Sequence, residues 1–224
     1  MDFRVFFDEV RSKLFAGSLN QGQVDGLNII TEQMALFQDT ILRNQAAYIF
    51  ATAFHETGAT MQPVRETFAS SDRQAINRLE NAWIRGNLPS VSTPYWRHGW
   101  FGRGYVQLTH KSNYEKMSKI LEINLLANPS LALDDDVAAK ILIEGMMKGA
   151  SNRGDFTGHK LEDFVNLRKS DFTGARRVVN GTDKAHLIAT HALKFDEALE
   201  KAGFDTAQAL KKDFVADENT ESKE

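Results

Sequence analysis

"AYIFATAFHETGATMQPVRE", residues 47–66, opens on an apolar run and ends in charge. Taken with the residues before it, the segment from Ile41 to Glu56 has helical spacing and is apolar nearly all round. That is the pattern of a helix at the centre of a fold. A run of this kind carried straight into His55-Glu56 delivers a carboxyl group to the edge of buried surface. Glu56 lies two turns beyond Ile49 on about the same face, so it is expected against apolar surface. Desolvation there raises a carboxyl pKa and suits the group to general-acid work. The plainer alternative is a helix-end glutamate paired with an arginine, and spacing alone favours it. The zinc motif His-Glu-x-x-His is not completed, because position 59 is Ala.

Helical periodicity also dominates the chain on either side. Phe3, Phe6, Phe7, Val10 and Leu14 form one stripe, and Val24, Leu27, Ile30, Met34 and Phe37 form a second. Ser71 to Gln74 and Ser112 to Glu115 have the capping-box pattern before two further helices. Asp134 to Asp136 can cap a helix running through Ile141, Ile143 and Met147. The last long helix is expected over 183–202, stopped by Gly203. From Gly86 to Leu108 the helical pattern fails: glycine, proline and aromatics mark a loop leading into a short strand, Tyr105 to Leu108. "VVNGTD", 178–183, reads as a tight turn. The expectation is a mainly α, two-lobed helical domain with a short β element. Residues 1–203 would form one domain with a smaller lobe at about 60–115, and 204–224 a polar, partly disordered tail.

Composition excludes several functions. The chain has 224 residues, 27 basic and 30 acidic side chains, and no cysteine. Near-balanced charge argues against a nucleic-acid partner. The lack of cysteine removes disulfides, thiolate zinc sites and a cysteine nucleophile. No histidine pair has the spacing of a metal clamp, so neither a metal nor another cofactor is expected. The N-terminus shows no secretory core and no run reaches the ~20 apolar residues of a bilayer span, so a cytoplasmic chain without membrane insertion is expected.

Glycoside hydrolysis needs a second carboxylate opposite the first. Glu66, Asp72 and Glu80 are the candidates, and Glu66 follows a proline-bearing loop that can turn back toward the helix end. "GRGYVQLTHKSNY", 102–114, is the other dense stretch. On a strand, Gln107 and Thr109 would point to one face and offer an amide and a hydroxyl to a sugar; alternatively they tie down their own loop. Tyr95, Trp96, Trp100 and Tyr105 flank this stretch, either as stacking rings or as core. Arg85, Arg97, Arg103 and Lys111 could meet acidic substituents or serve as solvated charge.

Together, "HETGATMQPVRE" and "GRGYVQLTHKSNY" resemble glycoside hydrolase family 19, and within it the single-domain endolysins of bacteriophages of Gram-negative hosts. "QGQVDGLNII", "GDFTGHKLEDF" and "DFTGARRVVNGTDKA" extend the likeness over about residues 18–200. The resemblance implies a lysozyme-like α+β fold with a cleft between two lobes. It also implies inverting hydrolysis of β-1,4 links in chitin or peptidoglycan. By this likeness Glu56 is the general acid, Glu66 the base that activates water, and Thr109 the hydroxyl that helps hold that water. Gln107, Asn113, Tyr114 and Asn180 match substrate-contacting positions, and His55, Tyr105, Trp100 and Arg103 are expected beside them. Ala59 and Thr182 depart from the chitinase pattern, where glycine is usual.

The expected activity is that of a peptidoglycan-cleaving endolysin, a monomer that gathers in the host cytoplasm and reaches the wall at lysis. The alternatives are a chitinase acting on chitin oligomers and a glycan-binding protein without catalysis.

Overall fold

The structure of the protein is a computed structural model that describes residues 1–36, 41–147 and 156–204. Phe37 of the second expected stripe, and all of the polar tail beyond residue 204, lie outside the described residues.

The fold is mainly helical and is built around α3 (Arg43–Glu56), in which every residue from 45 to 54 is buried. Small Ala residues at 46, 47, 51 and 53 let neighbouring helices approach, and the rings of Tyr48, Phe50 and Phe54 fill the spaces between them. The last helix, α7 (Ala185–Lys201), runs against α3. Phe50 stacks on Phe195 at 5.4 Å, and Phe54 meets Phe195 edge-on at 6.1 Å. α1 (Phe3–Leu14) adds Phe6 at 5.4 Å from Phe50. Each such fully buried ring contributes about 1.5–3 kcal/mol of transfer energy. Arg43 fastens the start of α3 to α7 through Asp196 and Glu200, both at 2.9 Å. α2 (Gln21–Ala35) packs on α6 (Asp135–Met147). Asn20 caps α2 in a full capping box with Gln23.

A second apolar cluster stands apart from this body. It comprises Ala69, Ala75, Leu79, Trp96 and Phe101, with Trp83 and Tyr95 packed on it. Its helix is α4 (Asp72–Ile84), capped by Ser71 Oγ, which accepts from Gln74 N at 3.2 Å. The reciprocal bond of the expected box goes elsewhere: Gln74 Oε1 accepts from Ser70 N at 2.8 Å. The cluster is joined to the body by a two-stranded antiparallel sheet. β1 (Val64–Arg65) pairs with β2 (Arg103–Gly104) in the register Val64↔Gly104 and Arg65↔Arg103.

Two expectations are corrected here. The strand is Arg103–Gly104, not Tyr105 to Leu108. The following residues fold back as a turn closed by Leu108 N donating to Arg103 O at 2.9 Å, with Gln107 in the left-handed region at φ 54°. The next helix, α5 (Lys111–Leu121), begins before the expected box at Ser112, with His110 as its cap at φ 71° and no side-chain capping bond. Asn113 Nδ2 donates instead to Thr109 O at 2.8 Å. A second hairpin, β3 (Val165–Asn166) with β4 (Lys169–Ser170), has no strand-length pattern in the sequence. Asn166 Oδ1 builds its turn by accepting from the backbone N–H groups of Arg168 and Lys169.

Candidate active site

The end of α3 opens into a cleft of about 910 Å³. Glu56 lies on it at the helix C-terminus. The turn from Val106 to His110 forms one wall with Asn113 of α5. Ser90 to Thr93 and Tyr95 come from the segment after α4, and Phe156, Val179 and Asn180 complete the lining. The structure thus brings five of the expected residues together: Glu56, Gln107, Thr109, Asn113 and Asn180.

Glu56 is both exposed to the cleft and ion-paired. Its side chain is 18% exposed, and its Oε1 accepts from Arg176 Nη1 at 2.5 Å. Arg176 is 3% exposed and also donates from Nε to Asp183 O at 2.9 Å. The helix-end glutamate paired with an arginine is therefore what the chain builds, and it builds it at the rim of a cleft. Arg176 sits in a 3-10 turn, Gly174–Val178, and its own carbonyl accepts from Asn180 N at 2.9 Å. One short segment therefore supplies both the partner of Glu56 and a wall residue.

Glu66 does not line the cleft, but it is tied to Tyr95, which does. Its Oε1 accepts from Tyr95 Oη and its Oε2 from Gly102 N, both at 2.7 Å. Glu66 N in turn donates to Gly102 O at 2.7 Å. Burial first, and then the Glu66 carboxylate, pushes the Tyr95 phenol well above its ordinary pKa, so Tyr95 stays a donor. A side chain at Gly102 would force Gln107 to shift. A Cβ there would come within 2.7 Å of Gln107 Oε1 and 3.2 Å of Thr109 Oγ1. One residue without a side chain therefore brings the Glu66 tether against the Gln107–Thr109 turn.

Gln107 and Thr109 share a face because of the turn, not because of strand alternation. Both also hold the turn together. Gln107 Nε2 donates to Val64 O at 3.0 Å and Gly104 O at 3.3 Å, and Thr109 Oγ1 donates to Gln107 O at 2.6 Å. The Thr109 oxygen keeps its acceptor capacity.

Three expected contact residues are corrected. Tyr105 and Tyr114 are fully buried, and Arg103 is 2% exposed. Tyr105 Oη donates to Met61 O at 3.2 Å. Tyr114 Oη donates to Phe101 O at 3.0 Å and accepts from Arg103 Nη1 at 2.9 Å. Arg103 lies over the Phe101 ring at 3.7 Å and pairs with Asp72 at 2.8 Å. Their polar ends bind the interior, so they shape the cleft from behind without reaching a ligand. Trp100 is half-buried against Tyr114 at 5.4 Å, and His55 is half-buried; neither lines the cleft. Burial lowers the His55 pKa, which favours its neutral form. Of the other carboxylates considered, Asp72 bridges Arg65 and Arg103, while Glu80 holds Arg97 and Trp96 Nε1. Both are structural anchors of the second cluster.

The loop carrying Glu66 is strained. Thr67 and Phe68 follow it at φ 61° and φ 52°. Two consecutive non-glycine residues in the left-handed region cost about 1–3 kcal/mol each, and such strain gathers at functional sites.

A profile of glycoside hydrolase family 19, described as chitinase class I, matches residues 34–155, more than half of the chain. The chain belongs to this family of glycoside hydrolases. Basic endochitinase CHB4 of Brassica napus is 28% identical over 140 residues, which cover 58% of this chain and 48% of that protein. The chain therefore spans about half the length of this relative. A crystal structure of a chitinase C mutant aligns over 91% of this chain and 92% of its own, with 21% identity and a TM-score of 0.48.

Proposed function

We propose that this chain hydrolyses β-1,4 glycosidic bonds of peptidoglycan with inversion, as an endolysin. Glu56 is the general acid, Glu66 the base and Thr109 the hydroxyl that holds the attacking water. The observation that carries the reading is the meeting of Glu56 with Gln107, Thr109, Asn113 and Asn180 on one open cleft. Arg176 fixes one oxygen of Glu56 and so orients the other toward a glycosidic oxygen. The amide and hydroxyl row opposite suits a polymer of hydroxyl-rich rings. Water attacks the anomeric carbon as its proton passes to Glu66 by way of the Tyr95 hydroxyl that lines the cleft and is bonded to it, and the leaving sugar departs with the proton from Glu56.

On this reading residues 1–203 act as one catalytic domain, with the lobe at about 60–115 forming the far wall of the cleft. The enzyme works as a monomer without cofactor. It is held in the host cytoplasm until it reaches the wall.

A second reading, hydrolysis of chitin oligomers, is favoured by the endochitinase relative. Digestion of purified Gram-negative sacculi and of chitin oligomers, followed by mass spectrometry, separates the two. Disaccharide-peptides with new reducing ends are expected from sacculi. Rapid cleavage of chitin oligomers beside intact sacculi replaces the endolysin with the chitinase, and cleavage of neither leaves a binding protein.

A further inference from the structure

Phe68 is 60% exposed, two residues after Glu66. An aromatic ring of this size is ordinarily drawn into the nearest apolar cluster, and one is at hand: Ala69, the next residue, is 6% exposed and belongs to the cluster with Trp96 and Phe101. Phe68 is kept out of it. The left-handed backbone at Thr67 and Phe68 turns the ring outward, and Arg78 Nη1 clamps this conformation by donating to Thr67 O at 2.8 Å and Phe68 O at 3.3 Å. On its inner side the ring rests on Gly58, two residues beyond Glu56, where a Cβ would sit 3.4 Å from two ring carbons. Single exposed apolar side chains are ordinary; what sets this ring apart is the strained and clamped backbone that holds it outward beside the loops of both glutamates.

We propose that Phe68 is a stacking platform for a pyranose ring of the glycan, outside the cleft that holds the cut bond. The proposal rests on the glycosidase reading and extends it. Phe68 is not among the cleft residues, so the platform lengthens the binding surface by a further sugar. The C–H face of a pyranose lies on the aromatic face, and its hydroxyls and N-acetyl group remain in water. Long strands gain from this contact and short ones do not reach it.

The test is binding of the Glu56→Gln protein, which does not consume its ligand, to purified Gram-negative sacculi and to N-acetylglucosamine hexamer. Adding Phe68→Ala is expected to weaken binding to the sacculi about three- to tenfold, with an unchanged melting temperature. Phe68→Tyr and Phe68→Trp should bind like the parent, and Phe68→Leu like Phe68→Ala. The platform is refuted by full binding in Phe68→Ala, or by Phe68→Leu matching Phe68→Tyr, and in either case the glycosidase reading stands. If the Glu56→Gln parent binds neither sacculi nor hexamer, both fall together.

Discussion

Arg176 reaches across 120 residues of sequence to hold Glu56, and the two form an ion pair of which the arginine is the more deeply buried partner. Removing one half of such a pair leaves the other charge in poor surroundings, at about 3–5 kcal/mol. Arg176→Met is therefore expected to lower the melting temperature by about 6–20 °C and to misorient Glu56. Glu56→Gln keeps an amide oxygen for Arg176 but leaves the buried guanidinium without its counter-charge, so the protein should still fold with a lowered melting temperature while the rate falls by about 10²–10⁴. Thermal melts beside rates on the cleaved glycan check both, and a fully active, folded Glu56→Gln protein would refute the mechanism.

Glu66→Gln retains an acceptor for Gly102 N and a partner for Tyr95, so it should fold normally and lose kcat by about 10²–10⁴. Thr109→Val removes the hydroxyl that donates to Gln107 O together with the hydrogen bond to water, for a loss of at least about five- to tenfold. Glu80→Gln should leave the rate per folded molecule unchanged. If Glu66→Gln turns over as fast as the wild type while Glu80→Gln does not, the base has been assigned wrongly.

The second apolar cluster should loosen in acid. Hydrogen bonds from Arg97 and then Trp96 hold the Glu80 carboxyl down to about 2. For Asp72, burial pushes upward, but the bonds from Arg65 and Arg103 outweigh it and leave the group below its ordinary value. Both carboxyls are depressed in the folded state. Their contribution is complete above about pH 4.5, the ordinary range for these groups, and is lost as pH falls toward 2. Tryptophan fluorescence between pH 7 and 2 should report an opening around Trp96 in this window. In Glu80→Gln, whose amide still accepts from Trp96, the Glu80 component of that transition should be missing.

Thr67→Asn should stabilise the chain. Asparagine enters the left-handed region more readily than a β-branched residue, and relief of about 1 kcal/mol raises the melting temperature by about 2–4 °C. A lower melting temperature would show that the Thr67 side chain makes a contact that outweighs its backbone strain.

The central helix was legible because the segment from Ile41 to Glu56 is apolar nearly all round at helical spacing, and Glu56 stood out by its place at the end of that run. Glu66 was legible only as one of three carboxylates, since nothing local distinguishes a tether to Gly102 and Tyr95 from an exposed loop charge. Tyr-Val-Gln-Leu alternates like a strand. The turn that forms there is imposed by closure between Arg103 and Leu108 and by a left-handed Gln107, neither of which leaves a periodicity. Tyr105, Tyr114 and Arg103 carry polar ends that resemble ligand contacts, and their partners are interior groups such as the Met61 carbonyl, 44 residues from Tyr105. Arg176 lies inside the stretch DFTGARRVVNGTDKA that carries part of the family likeness, but nothing there marks it as the arginine of the pair, because no spacing rule joins positions 120 apart.

The burial of α3 on every side also sets where this chain can change length. One residue lost or gained between Arg43 and Glu56 would turn the carboxylate by about 100° and shift it about 1.5 Å along the axis. The pocketed rings of Tyr48, Phe50 and Phe54 would rotate out of their sockets with it. No neighbouring helix could follow, since α1 and α7 contact the same turns. Lengthening the segment between Ile84 and Pro94 moves no helix of the body. Drift in length among relatives of this protein is therefore expected to collect in that segment, with the count from Arg43 to Glu56 held fixed.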